Sequence, residues 1–330
     1  MNKKTSDFLE LKSIFSDELL EVGKVITDSL LSKEELVSDV GSYLINAGGK
    51  RIRPILTLLF SKICGYTGNK HIYLASAVEL IHVATLLHDD VIDESATRRN
   101  KPTANFTWGN KASILVGDFL FSQSFKLMVK SESIKALQSL SNASSIIAEG
   151  EVMQLARLYQ NKMLSLTEYE EIAKAKTAAL FGASAHVGSI IANQPENIEL
   201  ACEEFGTILG LIFQISDDML DYFSNPTASG KNLGDDLAQG NITAPIIIAY
   251  NNASKEDQNR IENIFFNDDR ESKFEEIKSI LLKYNTESAI SIYVDSHYKK
   301  AVELISIIPY SAEFTPYLLG ILDYAANRTR

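Results

Sequence analysis

Asp89, Asp90 and Asp93 stand in an otherwise apolar stretch, ELIHVATLLHDDVIDESATRR, that runs from Glu79 to Arg99. On a helix, positions 89 and 93 lie one turn apart on the same face, with β-carbons about 6 Å apart. Two carboxylates held that close repel each other, so the spacing calls for a positive charge between them. Oxygen donors without cysteine suit Mg²⁺ or Mn²⁺, and Mg²⁺ takes one or two carboxylates and fills its shell with water and phosphate. Arg98 and Arg99 follow about one turn later. Guanidiniums beside an acidic pair fit metal plus phosphate better than metal alone. A lone DDxxD is equally compatible with a solvated acidic face and its ion pairs.

The same spacing recurs far down the chain. Phe213–Tyr222 reads FQISDDMLDY, with Asp217, Asp218 and Asp221 on another apolar stretch. Facing each other across a bundle, two such helices would form a two-walled carboxylate cage for divalent ions and a diphosphate. The polar segment Asn225–Asn241, NPTASGKNLGDDLAQGN, carries Lys231 in its middle and has the composition of a lid over bound phosphate.

Four further places offer cations or polar groups. In AGGKRIRP, residues 47–54, two glycines are followed by Lys50, Arg51 and Arg53 just ahead of a helix expected to start at Pro54. A glycine turn, cations and a helix N-terminus together make an anion site. His82 sits two turns before Asp89 on roughly the same face, and points to a ligand contact; His88 is read as structural or supporting. Glu149–Gln154, EGEVMQ, and Lys174–Ala178, KAKTA, set polar groups into apolar helices. Lys176 reads either as a cation directed inward or as a lysine of the polar stripe.

The elements that must position these groups are helical. Leu80, Val83, Ala84, Leu87 and Val91 fall at i, i+3, i+4, i+7 and i+11. Similar periodicity predicts helices near 6–22, 33–46, 54–64, 71–95, 110–130, 134–159, 167–192, 196–223, 243–252, 255–266, 271–283, 286–305 and 313–328. All seven prolines fall at helix edges or in connections, and no repeat or linker interrupts the pattern. The expectation is one all-α domain spanning 1–330, large enough at 45% hydrophobic residues to bury a substantial core. No 20-residue apolar run marks a membrane span, and the polar start MNKKTSDFLE is no signal peptide. Two isolated cysteines, Cys64 and Cys202, argue against a disulfide framework or zinc site and suit the cytoplasm. A net charge of −11 argues against nucleic acid as a partner.

The motifs GGKRIRP (48–54), LLHDDVIDESATRR (86–99), EGEVMQ, KT (176–177), QISDDMLD (214–221) and GKNLGDD (230–236) closely resemble those of the trans-type polyprenyl diphosphate synthases, in the same order and over most of the chain. The long-chain branch, which makes quinone side-chain precursors in bacteria, is the nearest match. The resemblance implies a bundle of long helices around a deep central cavity, a homodimer, and 1'-4 head-to-tail condensation of isopentenyl diphosphate onto an allylic (farnesyl or geranyl) diphosphate. It implies that Asp89, Asp93 and Asp217 hold Mg²⁺, with Mn²⁺ as an alternative. Arg98, Lys176, Thr177, Gln214 and Lys231 would contact the allylic substrate; Lys50, Arg53, His82 and Arg99 would hold isopentenyl diphosphate. An octaprenyl-length product is the expectation. One departure stands out: QGNITAP carries Asn241 where the family usually has a lysine. If that lysine touches the allylic diphosphate, this chain lacks one cation there.

Other readings remain. A shorter-chain synthase would share every motif. A non-catalytic subunit of a heteromeric synthase typically loses one aspartate motif, and this chain keeps both. A terpene cyclase has no use for Lys50, Arg53 and His82. A purely structural bundle would explain the periodicity and neither acidic motif.

Overall fold

A computed structural model describes residues 3–46, 49–98, 101–224, 233–266, 270–308 and 314–327. Among them the only strands are the two-residue β1 (Thr97–Arg98) and β2 (Lys101–Pro102), paired antiparallel; everything else regular is helical. The all-α expectation holds. The chain forms two compact units, each discontinuous in sequence. One comprises Met1–Ser144, Leu180–Gly206 and Leu304–Ile321; the other comprises Ser145–Ala179, Thr207–Glu303 and Leu322–Arg330.

The first unit opens with α1 (Lys3–Ile14), α2 (Ser16–Ser29) and α3 (Glu35–Asn46). The single helix expected at 6–22 is therefore two: Phe15 leaves helical backbone at the junction and buries its ring completely. Next come α4 (Ile52–Ile63) and α5 (Lys70–Ile92), then α6 (Ala104–Trp108) and α7 (Asn110–Lys130). Almost every residue of α4 is buried. Each fully buried Leu or Ile there contributes about 1.5–3 kcal/mol through the area it removes from water. Helix α5 is apolar on nearly all sides, which is the pattern of a helix covered all round. By length and composition α5 and α7 could each cross a membrane. Here that apolarity serves packing, since α5 lies mainly against α7, with α4 and α2 also against it. Gly117 of α7 permits the approach: a β-carbon there would meet His88 Nε2 at 2.4 Å.

Helix α8 (Ile134–Leu158) is followed by α9 (Leu166–Ala173), a π-helical turn (Lys174–Ala178) and α10 (Ala179–Ile191), then by α11 (Glu196–Phe223). A capping box starts α9: Ser165 accepts from the Glu168 amide while Glu168 accepts from Ser165. In the second unit α12 (Asp235–Gln239), α13 (Ala244–Asn252), α14 (Lys255–Phe265) and α15 (Phe274–Lys283) precede α16 (Thr286–Ile305). Tyr222, Ile246, Ile261, Phe265 and Ile277 form its core. Helix α17 (Thr315–Ala326) ends the described chain. The hairpin and the short helices α6 and α12 escaped the sequence reading because none is long enough to show a period.

Candidate active site

In the first unit the site grows from the last turn of α5. Asp93 caps it, donating its backbone N–H to Asp89 O at 2.8 Å, so the two carboxylates stand on consecutive turns, both half-buried. The helix stops because Glu94 takes a left-handed backbone (φ 50°) and Ser95 N–H returns to Asp90 O at 3.0 Å. Asn105 adds a side-chain N–H to the Asp90 carbonyl at 3.0 Å. Glycine usually holds such a position; a non-glycine residue there costs roughly 1 kcal/mol. The carbonyl end of a helix carries partial negative charge, which adds to that of Asp89 and Asp93 and draws a cation to them.

Asp90 is turned the other way. Its carboxylate is 1% exposed, and Arg98 on β1 donates to Oδ1 from Nε at 2.9 Å, with Nη2 in ion-pair contact at 2.8 Å. His88, read from the sequence as structural or supporting, has its Nε2 3.2 Å from Ile114 O and 3.5 Å from Asp118, both on α7.

Two turns up α5, His82 meets Arg53. Arg53 Nη1 lies 3.2 Å from His82 Nε2. A guanidinium has no acceptor, so Arg53 donates and His82 accepts, which leaves the imidazole neutral with its proton on Nδ1. The guanidinium carbon sits 4.4 Å from the centre of the Phe181 ring, a cation–π contact. Burial pulls the Arg53 pKa down to about 10, against the attraction of Glu79 and Asp89, so the group is charged at neutral pH. Its Nε is buried without a hydrogen-bond partner. Arg51 ahead of α4 takes a left-handed backbone, φ 51°. Lys50 stands exposed in the same loop. Helix α4 starts at Ile52, two residues before the expected Pro54. Arg99 lies outside the described residues.

In the second unit Lys176 occupies the π-helical turn and is directed inward: 19% exposed, it ion-pairs with Glu151 at 2.8 Å and donates to Gln154 Oε1 at 2.8 Å. Such turns are frequent at functional sites. Gly150 of α8 leaves the room, for a β-carbon there would come within 2.7 Å of Ala175 Cβ and 3.0 Å of Lys176 N. Thr177 and Gln214 are brought together, Thr177 Oγ1 donating to Gln214 Oε1 at 2.7 Å. Gln214 Nε2 in turn donates to Asp218 Oδ1 at 2.7 Å, and Tyr169 OH to Asp218 Oδ2 at 2.5 Å. Burial raises the Asp218 carboxyl to about 7. Asp221 is buried too and takes the backbone N–H groups of Asp235 and Asp236, each at 3.1 Å, at the start of α12. Asp217 is half-buried, whereas Asp218 and Asp221 are buried. Lys231 and the first part of the expected lid, residues 225–232, lie outside the described residues.

The sequence reading missed Tyr169, Asn105, Glu151 and Gln154 as supports. For the last two a signal existed, the polar cluster Glu149–Gln154 within an apolar helix.

The family model described as polyprenyl synthetase matches residues 34–282. The octaprenyl diphosphate synthase of Haemophilus influenzae is 35% identical over 97% of this chain and 96% of its own. A polyprenyl synthase from Caulobacter crescentus, crystallised with calcium and isoprenyl diphosphate, superposes with a TM-score of 0.93 at 35% identity, covering 98% of both chains. A decaprenyl diphosphate synthase from Rhodobacter capsulatus gives 0.91 at 37% identity, over 98% of this chain and 99% of that one. Likeness of that extent, in sequence and fold together, places the chain in the polyprenyl synthetase family.

Proposed function

We propose that this prenyltransferase condenses isopentenyl diphosphate head to tail, 1'-4, onto a farnesyl or geranyl diphosphate, and repeats the step to an octaprenyl-length product for quinone side chains. One observation carries the reading: α5 presents the Arg53–His82 anion site and the Asp89–Asp93 pair two turns apart. A diphosphate that must stay intact and one that must leave thus have separate places beside one helix.

Asp89 and Asp93 fit a hard divalent ion, being oxygen donors one turn apart at the carbonyl end of a helix. Among the described residues no three His, Cys, Asp or Glu side chains gather into a full cage. The protein therefore offers part of a shell, and Mg²⁺ takes the remainder from water and phosphate. Asp89 and Asp93 would hold Mg²⁺, and so would Asp217 on its own helix, with Mn²⁺ as a substitute; when bound, the metal supplies Lewis-acid stabilisation of charge on the leaving diphosphate.

The chain's own groups do the rest. Lys50, Arg53 and Arg99, with His82, hold isopentenyl diphosphate. Arg98, Lys176 and Lys231 would contact the allylic diphosphate, where preorganised positive charge lowers the barrier as the C–O bond breaks. Because the Thr177 proton is committed to Gln214, what its hydroxyl turns outward is lone-pair density, suited to an allylic cation. The site must exclude water, which would quench that cation. The double bond of isopentenyl diphosphate attacks, and the proton lost afterwards goes to the released diphosphate. No protein nucleophile is needed.

The enzyme works in the cytoplasm as a homodimer. Leu115 and Val129 of α7 leave large apolar surface exposed for a second copy to cover. Incubation with Mg²⁺, farnesyl diphosphate and labelled isopentenyl diphosphate should give labelled product of octaprenyl length. A labelled product that stops at twenty carbons would favour a shorter-chain synthase, and absence of incorporation would overturn the reading.

A further inference from the structure

Asn241 enters as a missing cation, yet its side chain is fully engaged. Its carbonyl Oδ1 accepts from Gln154 Nε2 at 2.9 Å, its Nδ2 donates to Gln239 Oε1 at 2.9 Å, and its backbone N–H bonds Asp236 O at 2.8 Å. Gln154 is the residue whose Oε1 accepts from Lys176. The four side chains form one line: Lys176, Gln154, Asn241, Gln239.

That line has a direction, and Lys176 sets it. An ammonium only donates, so Gln154 must show it the carbonyl. The Gln154 amide then faces Asn241, which must answer with its own carbonyl and is left to donate to Gln239. A lysine at 241 could not take this part, for it would meet the Gln154 amide donor to donor. Gln154 would have to turn over, and Lys176 would keep Glu151 as its acceptor in place of two.

We propose that Asn241 is a positioning residue for Lys176: by accepting the Gln154 amide it holds the Gln154 carbonyl on the ammonium and so fixes where that charge is delivered. The inference rests on the reading above, in which Lys176 meets the allylic diphosphate. Asparagine here replaces a cation by an arrangement that aims one already present.

Steady-state kinetics of Asn241→Ala, in the wild type and in a Lys176→Met background, test it. Loss of one neutral hydrogen bond from the line should raise the allylic KM or lower kcat about three- to tenfold, with the KM for isopentenyl diphosphate unchanged. In Lys176→Met the same substitution should add nothing, because there is no ammonium left to aim. Equal, multiplying effects in both backgrounds would overturn the proposal. So would Asn241→Lys lowering the allylic KM in both, since position 241 would then reach the diphosphate itself. If Lys176→Met alone leaves allylic kinetics untouched, it is the underlying role of Lys176 that fails.

Discussion

Arg98 places one hydrogen bond, at 2.9 Å, and one ion-pair contact, at 2.8 Å, on a single carboxylate oxygen of Asp90, which is buried between the two aspartates assigned to metal. Neighbours in sequence thus differ in task, and substitution should separate them. Asp89→Ala or Asp93→Ala should cut metal-dependent turnover on the order of 10²-fold or more with little change in folding. Asp90→Asn should instead destabilise the fold by about 2 kcal/mol, the size of a hydrogen bond to a charged group, discounted because Arg98 is partly solvated. Denaturant titrations beside kinetics check both. Near wild-type turnover in Asp89→Ala would end the metal reading.

The second motif makes a parallel prediction. Asp221 holds the first amides of α12, so Asp221→Ala should cost about 1 kcal/mol, as loss of a helix cap does. Its Mg²⁺ activation midpoint should stay put, whereas Asp217→Ala should shift it upward. Identical shifts in the two variants would mean that Asp221 also serves the ion.

Product length is predicted from Ala84. If Asp89 fixes the diphosphate end, the growing tail runs towards the N-terminal turns of α5. Ala84 is five residues back, about 7.5 Å at 1.5 Å rise per residue, and is 1% exposed. Ala84→Tyr should shorten the main product towards fifteen or twenty carbons, measured by sizing labelled products. An active variant with unchanged products would show that Ala84 is small only to let helices pack.

Asp257 gives a pH prediction. Lys283 at 2.5 Å and Tyr284 at 2.7 Å, with Arg260 at 3.1 Å, hold its carboxyl down at about 2. A carboxyl depressed below its unfolded value of about 3.9 stabilises above that pH and loses the contribution as pH falls through about 2. The gap in melting temperature between wild type and Asp257→Asn should be full at neutral pH and close below about pH 4. A gap that ignores pH would show that the charge on Asp257 is not what it contributes.

Helix periodicity is a local property, and the sequence alone placed α7, α11 and α16 at the residues where the structure has them. Motif spacing is local as well, so both aspartate triplets, the basic loop before α4 and the family itself were legible before any coordinates. The matched spacing of the two triplets nevertheless suggested more symmetry than the molecule has. Which carboxylate of each triplet turns inward depends on partners supplied from elsewhere: Arg98 for Asp90, Tyr169 of α9 for Asp218, and the amides of α12 for Asp221. Likewise, the sequence showed Asn241 as an absent charge, and only the packing of α8 against the π-helical turn put Gln154 between it and Lys176. A periodic pattern says which side of a helix is apolar. The direction of a hydrogen bond is decided by which donor and acceptor the fold sets opposite each other, and that is information the chain holds only once it has folded.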